Sequence, residues 1–208
     1  TAVIAQVSIA TGSSAAVTLG AQGRSISGDD WKNDGLSFTL SGGGGGGTPS
    51  PPPPSADNCD LSVAAVSSAG GFDTYQLSVT LKNGASNIYT IFGDATTTLS
   101  LPAAYQEATP FGANVGGVAA AFIAAAPTAG MDSWLTVGPT GGDPAGSLSS
   151  IGIDFASWTA SAGLTADNGA VFWMAPDSGP SGTVVIAQVS IATGSSAAVT
   201  LGAQGRSI

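Results

Sequence analysis

The most regular signal along the chain is an alternation of apolar and polar positions. Thr74–Lys82 reads TYQLSVTLK, which puts Tyr75, Leu77, Val79 and Leu81 on one face of an extended strand. Asn83-Gly84 follows as a turn pair. Leu36, Phe38 and Leu40 alternate with Ser37 and Thr39, and Val185, Ala187, Val189 and Ile191 alternate with Ile186, Gln188 and Ser190. Further strands are predicted at 60–67, 86–92, 95–101, 133–137, 151–158, 169–175, 183–192 and 197–201, and residues 2–10 form another long β run. Turn residues separate them: Asp94, Gly141-Gly142-Asp143-Pro144, Asp167-Asn168-Gly169 and Pro176–Gly179. Val118–Ala126 (VAAAFIAAA) reads as a short helix or an irregular buried segment, and Ala103–Gln106 as a helical turn. So many short strands with regular turns predict an all-β fold, an antiparallel β-sandwich or jelly-roll-like bead.

Superimposed on this pattern is a repeat. Residues 183–208 reproduce residues 1–26, and only Ala2 and Val184 differ. A match of that length points to a tandem array with a period of 182 residues, a local duplication or circular permutation being the alternative. Both ends are then expected to be cuts through a longer polymer.

Between the strands lies SGGGGGGTPSPPPPS, residues 41–55. Six glycines followed by a proline block cannot build a packed core, and the prolines favour polyproline II. The expected organisation is residues 1–41 as the C-terminal part of a preceding repeat, 42–55 as a Gly/Pro-rich linker, and 56–208 as the next, nearly complete, β-sandwich repeat.

Composition narrows the function. Only 8% of residues are charged, well under the roughly 25% usual for soluble proteins, and the formal charge is −9. Binding nucleic acid or an anionic membrane needs Lys and Arg against phosphate, so neither is expected. The longest apolar stretch, 118–126, is nine residues against the roughly 20 a spanning helix needs. One cysteine, Cys59, suits either a buried thiol or a bridge between chains.

Residues able to carry chemistry are few. There is no histidine, which removes the commonest general base and the Ser-His-Asp and Cys-His systems. Gly42–Gly47 fits G-x-G-x-x-G only formally, because Thr48-Pro49 follows where a helix must start. Glu107 is the only glutamate, and Asp132, Asp143, Asp154, Asp167 and Asp177 read as turn formers rather than a glycosidase pair. Asp30, Lys32, Asp34 and Gly35 mimic the start of a calcium loop, but Lys32 stands where an oxygen ligand belongs. No catalytic, cofactor-binding or metal-ligating residue is predicted, and no cofactor. Trp31, Trp134, Trp158 and Trp173 serve as core anchors or, alternatively, as platforms for sugar stacking.

Modification is a better prospect. Thr48, Pro49, Ser50, Pro51, Pro52, Pro53, Pro54 and Ser55 have the composition of O-glycosylated stalks, and a bare spacer is the simpler alternative. That block also resembles the hydroxyproline-rich linkers of algal and plant wall glycoproteins. The segments VIAQVSIATGSSAAVTLGAQGRS, GDDWKNDGLSFTL, LPAAYQEATPFG and SIGIDFASW resemble modular repeats of secreted proteins from algae and other aquatic microbes. The resemblance is to glycan-coated surface filaments (glycofibrils), and more loosely to mastigoneme proteins. It implies an extracellular or cell-surface location, O-glycosylated β-beads on a string, and self-association of repeats into a fibril. The rival expectations are a repeated adhesin or carbohydrate-binding module, and a secreted hydrolase domain.

Overall fold

The computed structural model describes residues 29–41 and 57–208. The predicted strand at 2–10, the glycine run 42–47 and the glycosylation candidates Thr48–Ser55 lie outside the described residues. The described chain is mostly β. Its strands are β1 (Asp30–Ser41), β2 (Cys59–Ala69), β3 (Phe72–Leu81), β4 (Thr90–Gly93), β5 (Leu99–Leu101), β6 (Trp134–Leu135), β7 (Leu148–Ile151), β8 (Leu164–Ala166), β9 (Gly169–Trp173), β10 (Thr183–Ala192) and β11 (Ser196–Arg206).

The strands form two antiparallel sheets. One has four strands in the order β2-β3-β10-β6. The other has seven and centres on β11, with β1 on one flank and β4 and β5 sharing the other. β9 and β7 continue from β4, and β8 from β5. A single buried cluster joins the sheets: Phe38, Leu40, Ile91, Leu99, Val199 and Leu201 from one meet Leu61, Leu77, Val79, Ile186, Val189 and Ile191 from the other.

The alternation read in β3 is realised: Tyr75, Leu77 and Val79 are buried, and Leu81 packs at the margin. The β2–β3 hairpin turns through Gly70 and Gly71, both at positive φ (59° and 84°), the backbone a two-residue turn matching strand twist requires. Asn83 and Gly84 repeat that geometry after β3.

Strand β10 departs from simple alternation. A register shift between Val185 and Ala187 changes its phase. Ile186 and Ala187 both join the main core, while Val185 faces the other side and packs with Val118, Ala129 and Trp134. Gln188 and Ser190 are buried as well, because the long excursion between β5 and β6 folds over that face. Gln188 Nε2 donates to the Asp132 and Gly130 carbonyls at 2.8 and 3.2 Å, and Ser190 N donates to Ser133 Oγ at 3.0 Å.

Two local expectations change. The strand predicted at 151–158 ends at Ile151, where Gly152 turns at positive φ and Asp154 caps a 3₁₀ turn at Phe155–Ser157. Ala103–Gln106 is not helical: Ala104 N donates to Thr159 O and Tyr105 N to Ser190 O, both at 2.9 Å. Strand β8 is too short to leave a pattern. The 118–126 segment contains a short helix, α1 (Ala120–Ala125), none of whose residues is buried.

Candidate functional site

The feature that ties the repeat to the fold is the seam between β1 and β11. β1 precedes the proline-rich segment in sequence, yet it pairs with β11, the last strand of the described chain. Ten residue pairs join it to β11, from Asp30↔Arg206 to Ser41↔Ser196, with a shift between Asn33 and Leu36 where Gly35 sits at φ 68°. The binary pattern of β1 explains its fit. Leu36, Phe38 and Leu40 point into the core, each 3% exposed or less, while Thr39 points to solvent.

Two glycines of β11 make room for aromatic rings. Gly205 pairs with Trp31, whose indole Nε1 donates to Asn87 O at 2.9 Å. A Cβ at Gly205 would lie 1.8 Å from Asn87 O and 2.6 Å from Trp31 Nε1. Gly202 pairs with Phe92, and a Cβ there would strike the ring at 2.4 Å. The glycines of GAQG thus let side chains from both flanking strands lie across β11.

A polar clasp closes one end of the seam. The Arg206 guanidinium pairs with Asp30 of β1 and with Asp177, the latter at 2.8 Å, and sits 5.1 Å from the centre of the Tyr89 ring. Burial, with the Asp30 charge second, pushes the Tyr89 phenol up to about 12. Asn87 contributes from beneath: its Oδ1 accepts from Arg206 N at 2.9 Å, and its Nδ2 donates to Pro176 O at 2.9 Å. Lys32 bridges Asp34 and Asp94 at 2.8 and 2.9 Å and lies 4.9 Å from the centre of the Phe92 ring. The calcium-loop reading of Asp30–Gly35 therefore gives way to a strand: its acidic residues are engaged by Arg206 and Lys32. Among the described residues no cluster of three or more His, Cys, Asp or Glu side chains is arranged to hold a metal.

The carboxylates considered for hydrolysis take other positions. Asp132 is buried, and its two oxygens accept Glu107 N at 2.8 Å and Ala113 N at 2.6 Å. Burial drives its pKa up to about 6 against the backbone donors that hold it down. Glu107 is half-buried, and its pKa is lowered, first by Thr128 and then by Tyr105, whose hydroxyl donates at 2.9 Å. The backbone donors that join the two make Asp132 a staple for the loop over β10. In the sequence Asp132 reads as a turn residue, because its partners are main-chain groups 19 and 25 residues away. Asp143 and Asp154 also accept backbone N–H groups, from Leu148 and Ala156.

Three of the four tryptophans, Trp31, Trp134 and Trp158, are 4% exposed or less, and Trp173 is half-buried. They form no exposed aromatic row. Cys59 is free and fully buried, Asn33 Nδ2 approaches its sulfur at 3.7 Å, and burial raises its thiol pKa. A groove of about 430 Å³ runs between the end of β2 and the Pro127–Met131 turn, lined by Val66, Ala69, Gly70, Pro127 and Met131 among others. No helix among the described residues is long and apolar enough to cross a membrane.

The chain matches no protein-family model, no curated protein and no solved structure at a significant level.

Proposed function

We propose that the chain is a structural subunit of an extracellular filament. In this reading each unit is a β-sandwich or jelly-roll-like bead, repeated in tandem. The Gly/Pro linkers carry O-glycans on the Thr48–Ser55 segment. One observation carries the proposal: a strand ahead of the linker closes the core of the unit behind it, pairing with a segment whose sequence also stands immediately ahead of that strand. Repeats that can share strands in this way suit an extended polymer better than a free-standing catalyst. The reading as a non-enzyme is supported by the engagement of Asp132, Asp143 and Asp154 with main-chain donors.

Electron microscopy of the native material tests the filament. A fibre with one bead per axial repeat is expected, and dispersed single beads would end the proposal. Mass spectrometry of the peptide spanning residues 48–55 tests the sugars. An unmodified mass would remove the glycan part and leave the rest standing.

A further inference from the structure

The sequence of β11, SAAVTLGAQGR at residues 196–206, occurs a second time at residues 14–24. Residues 1–208 therefore hold one β1 and two copies of its partner sequence. Any second copy of the chain presents the same partner again. We infer that β1 is an exchangeable strand, and that its slot beside β11 is a docking site for the β1 strand of a second copy of this chain.

The geometry of the linker's two ends sets the balance between closing within a chain and exchanging between chains. Asn33 of β1 lies against Cys59 at the start of β2. Farther along, Tyr75, which pairs with Ala65 of β2, donates its hydroxyl to Ser41 O at 2.7 Å. β1 and β2 thus run in the same direction in facing sheets, and the chain must return from the end of β1 to the start of β2. At about 3.3 Å per residue that return covers roughly 30 Å. The fifteen residues 42–56 reach at most about 50 Å when fully extended, so closure within one chain is permitted. Without Gly42–Gly47, nine residues remain, several of them prolines, and they reach about 30 Å with no slack. A chain with that deletion cannot fill its own slot comfortably, but its β1 can fill a neighbour's. The slot itself selects for β1, because Trp31 must lie over Gly205 and Phe38 and Leu40 must enter the core. A chain of residues 1–208 supplies one β1 and one such slot, so exchange among such chains generates an open head-to-tail series.

The register supplies the test. Thr39 and Ala198 are direct partners, and both side chains are exposed. One chain carries Thr39→Cys and another Ala198→Cys. They are unfolded together, refolded at about 10 µM under oxidising conditions and separated on non-reducing gels. The unsubstituted chain reports any bridging through the buried Cys59. With the natural linker, an effective concentration on the order of 1 mM within a chain leaves roughly 1% as mixed dimer. Deleting residues 42–47 is expected to raise that fraction about 100-fold, to most of the protein, with light scattering showing dimers and longer species that keep a folded β spectrum. A shortened chain that stays monomeric, folded or unfolded, overturns the inference, because exchange would have rescued its missing strand. Bridging of Thr39→Cys to Ala16→Cys in preference to Ala198→Cys overturns it too. The test reads pairing in dilute solution, so its outcome stands apart from whether the native material is a filament.

Discussion

If β1 is part of the core that it shares with residues 57–208, truncating Phe38 must weaken that whole fold. Phe38 is fully buried and pairs with Val199 at the centre of the seam. Phe→Ala at such a site costs about 3–5 kcal/mol, the lost transfer free energy plus a cavity that the sheets cannot wholly collapse. Against a total stability of about 5–15 kcal/mol, that is a large share. With a urea m-value of about 2 kcal/mol per molar, the unfolding midpoint should fall by about 2 M. Tryptophan fluorescence is a suitable probe, because Trp31 reports on β1 itself while Trp134 and Trp158 report on the rest of the unit. Thr39→Ala is the control: one residue on, its side chain is exposed, and its cost should stay within about 1 kcal/mol. Equal midpoints for Phe38→Ala and Thr39→Ala would show that β1 is not part of this core. A loss seen only by Trp31 would refute its cooperative role there.

Other perturbations probe the remaining parts. Gly205→Val forces a side chain into Asn87 O and the Trp31 indole, and should cost about 1–3 kcal/mol in chemical denaturation, whereas a neutral effect would mean the ring does not lie over that glycine. Arg206→Met removes the partner of Asp30 and should lower stability by about 1–2 kcal/mol, with a smaller loss if Asp30→Asn is introduced as well; simple additivity in the double-mutant cycle would refute the clasp. Asp132 carries a pH dependence. Its folded carboxyl holds a proton up to about 6, while its ordinary value is 3.8, so its contribution to stability is fully present below about 4 and is lost as the pH rises through 6. The change amounts to about 3 kcal/mol at most, at 1.36 kcal/mol per pKa unit. Denaturation of wild type and Asp132→Asn at pH 4 and pH 7.5 checks it, and equal pH slopes in the two proteins would sink the assignment.

What the sequence determined by itself is local. The alternation of Tyr75, Leu77 and Val79 specifies a half-buried strand because successive side chains leave a strand on opposite faces, and the structure has β3 there. Asn83-Gly84 specifies its turn because those residues tolerate positive φ at little cost. The class of fold, mostly β with antiparallel pairing, follows from many such segments in succession. The duplicated 26 residues are likewise a fact of the sequence. Only the tertiary structure decided that β1 joins β11, since a local pattern carries no information about the partner strand. It alone buried Gln188 and Ser190, whose polarity reads as solvent-facing until a distant loop supplies their hydrogen bonds. The bulge at Val185–Ala187 has the same origin: a one-residue change of phase is settled by what packs on each face of the sheet, and those neighbours come from residues far away in the chain.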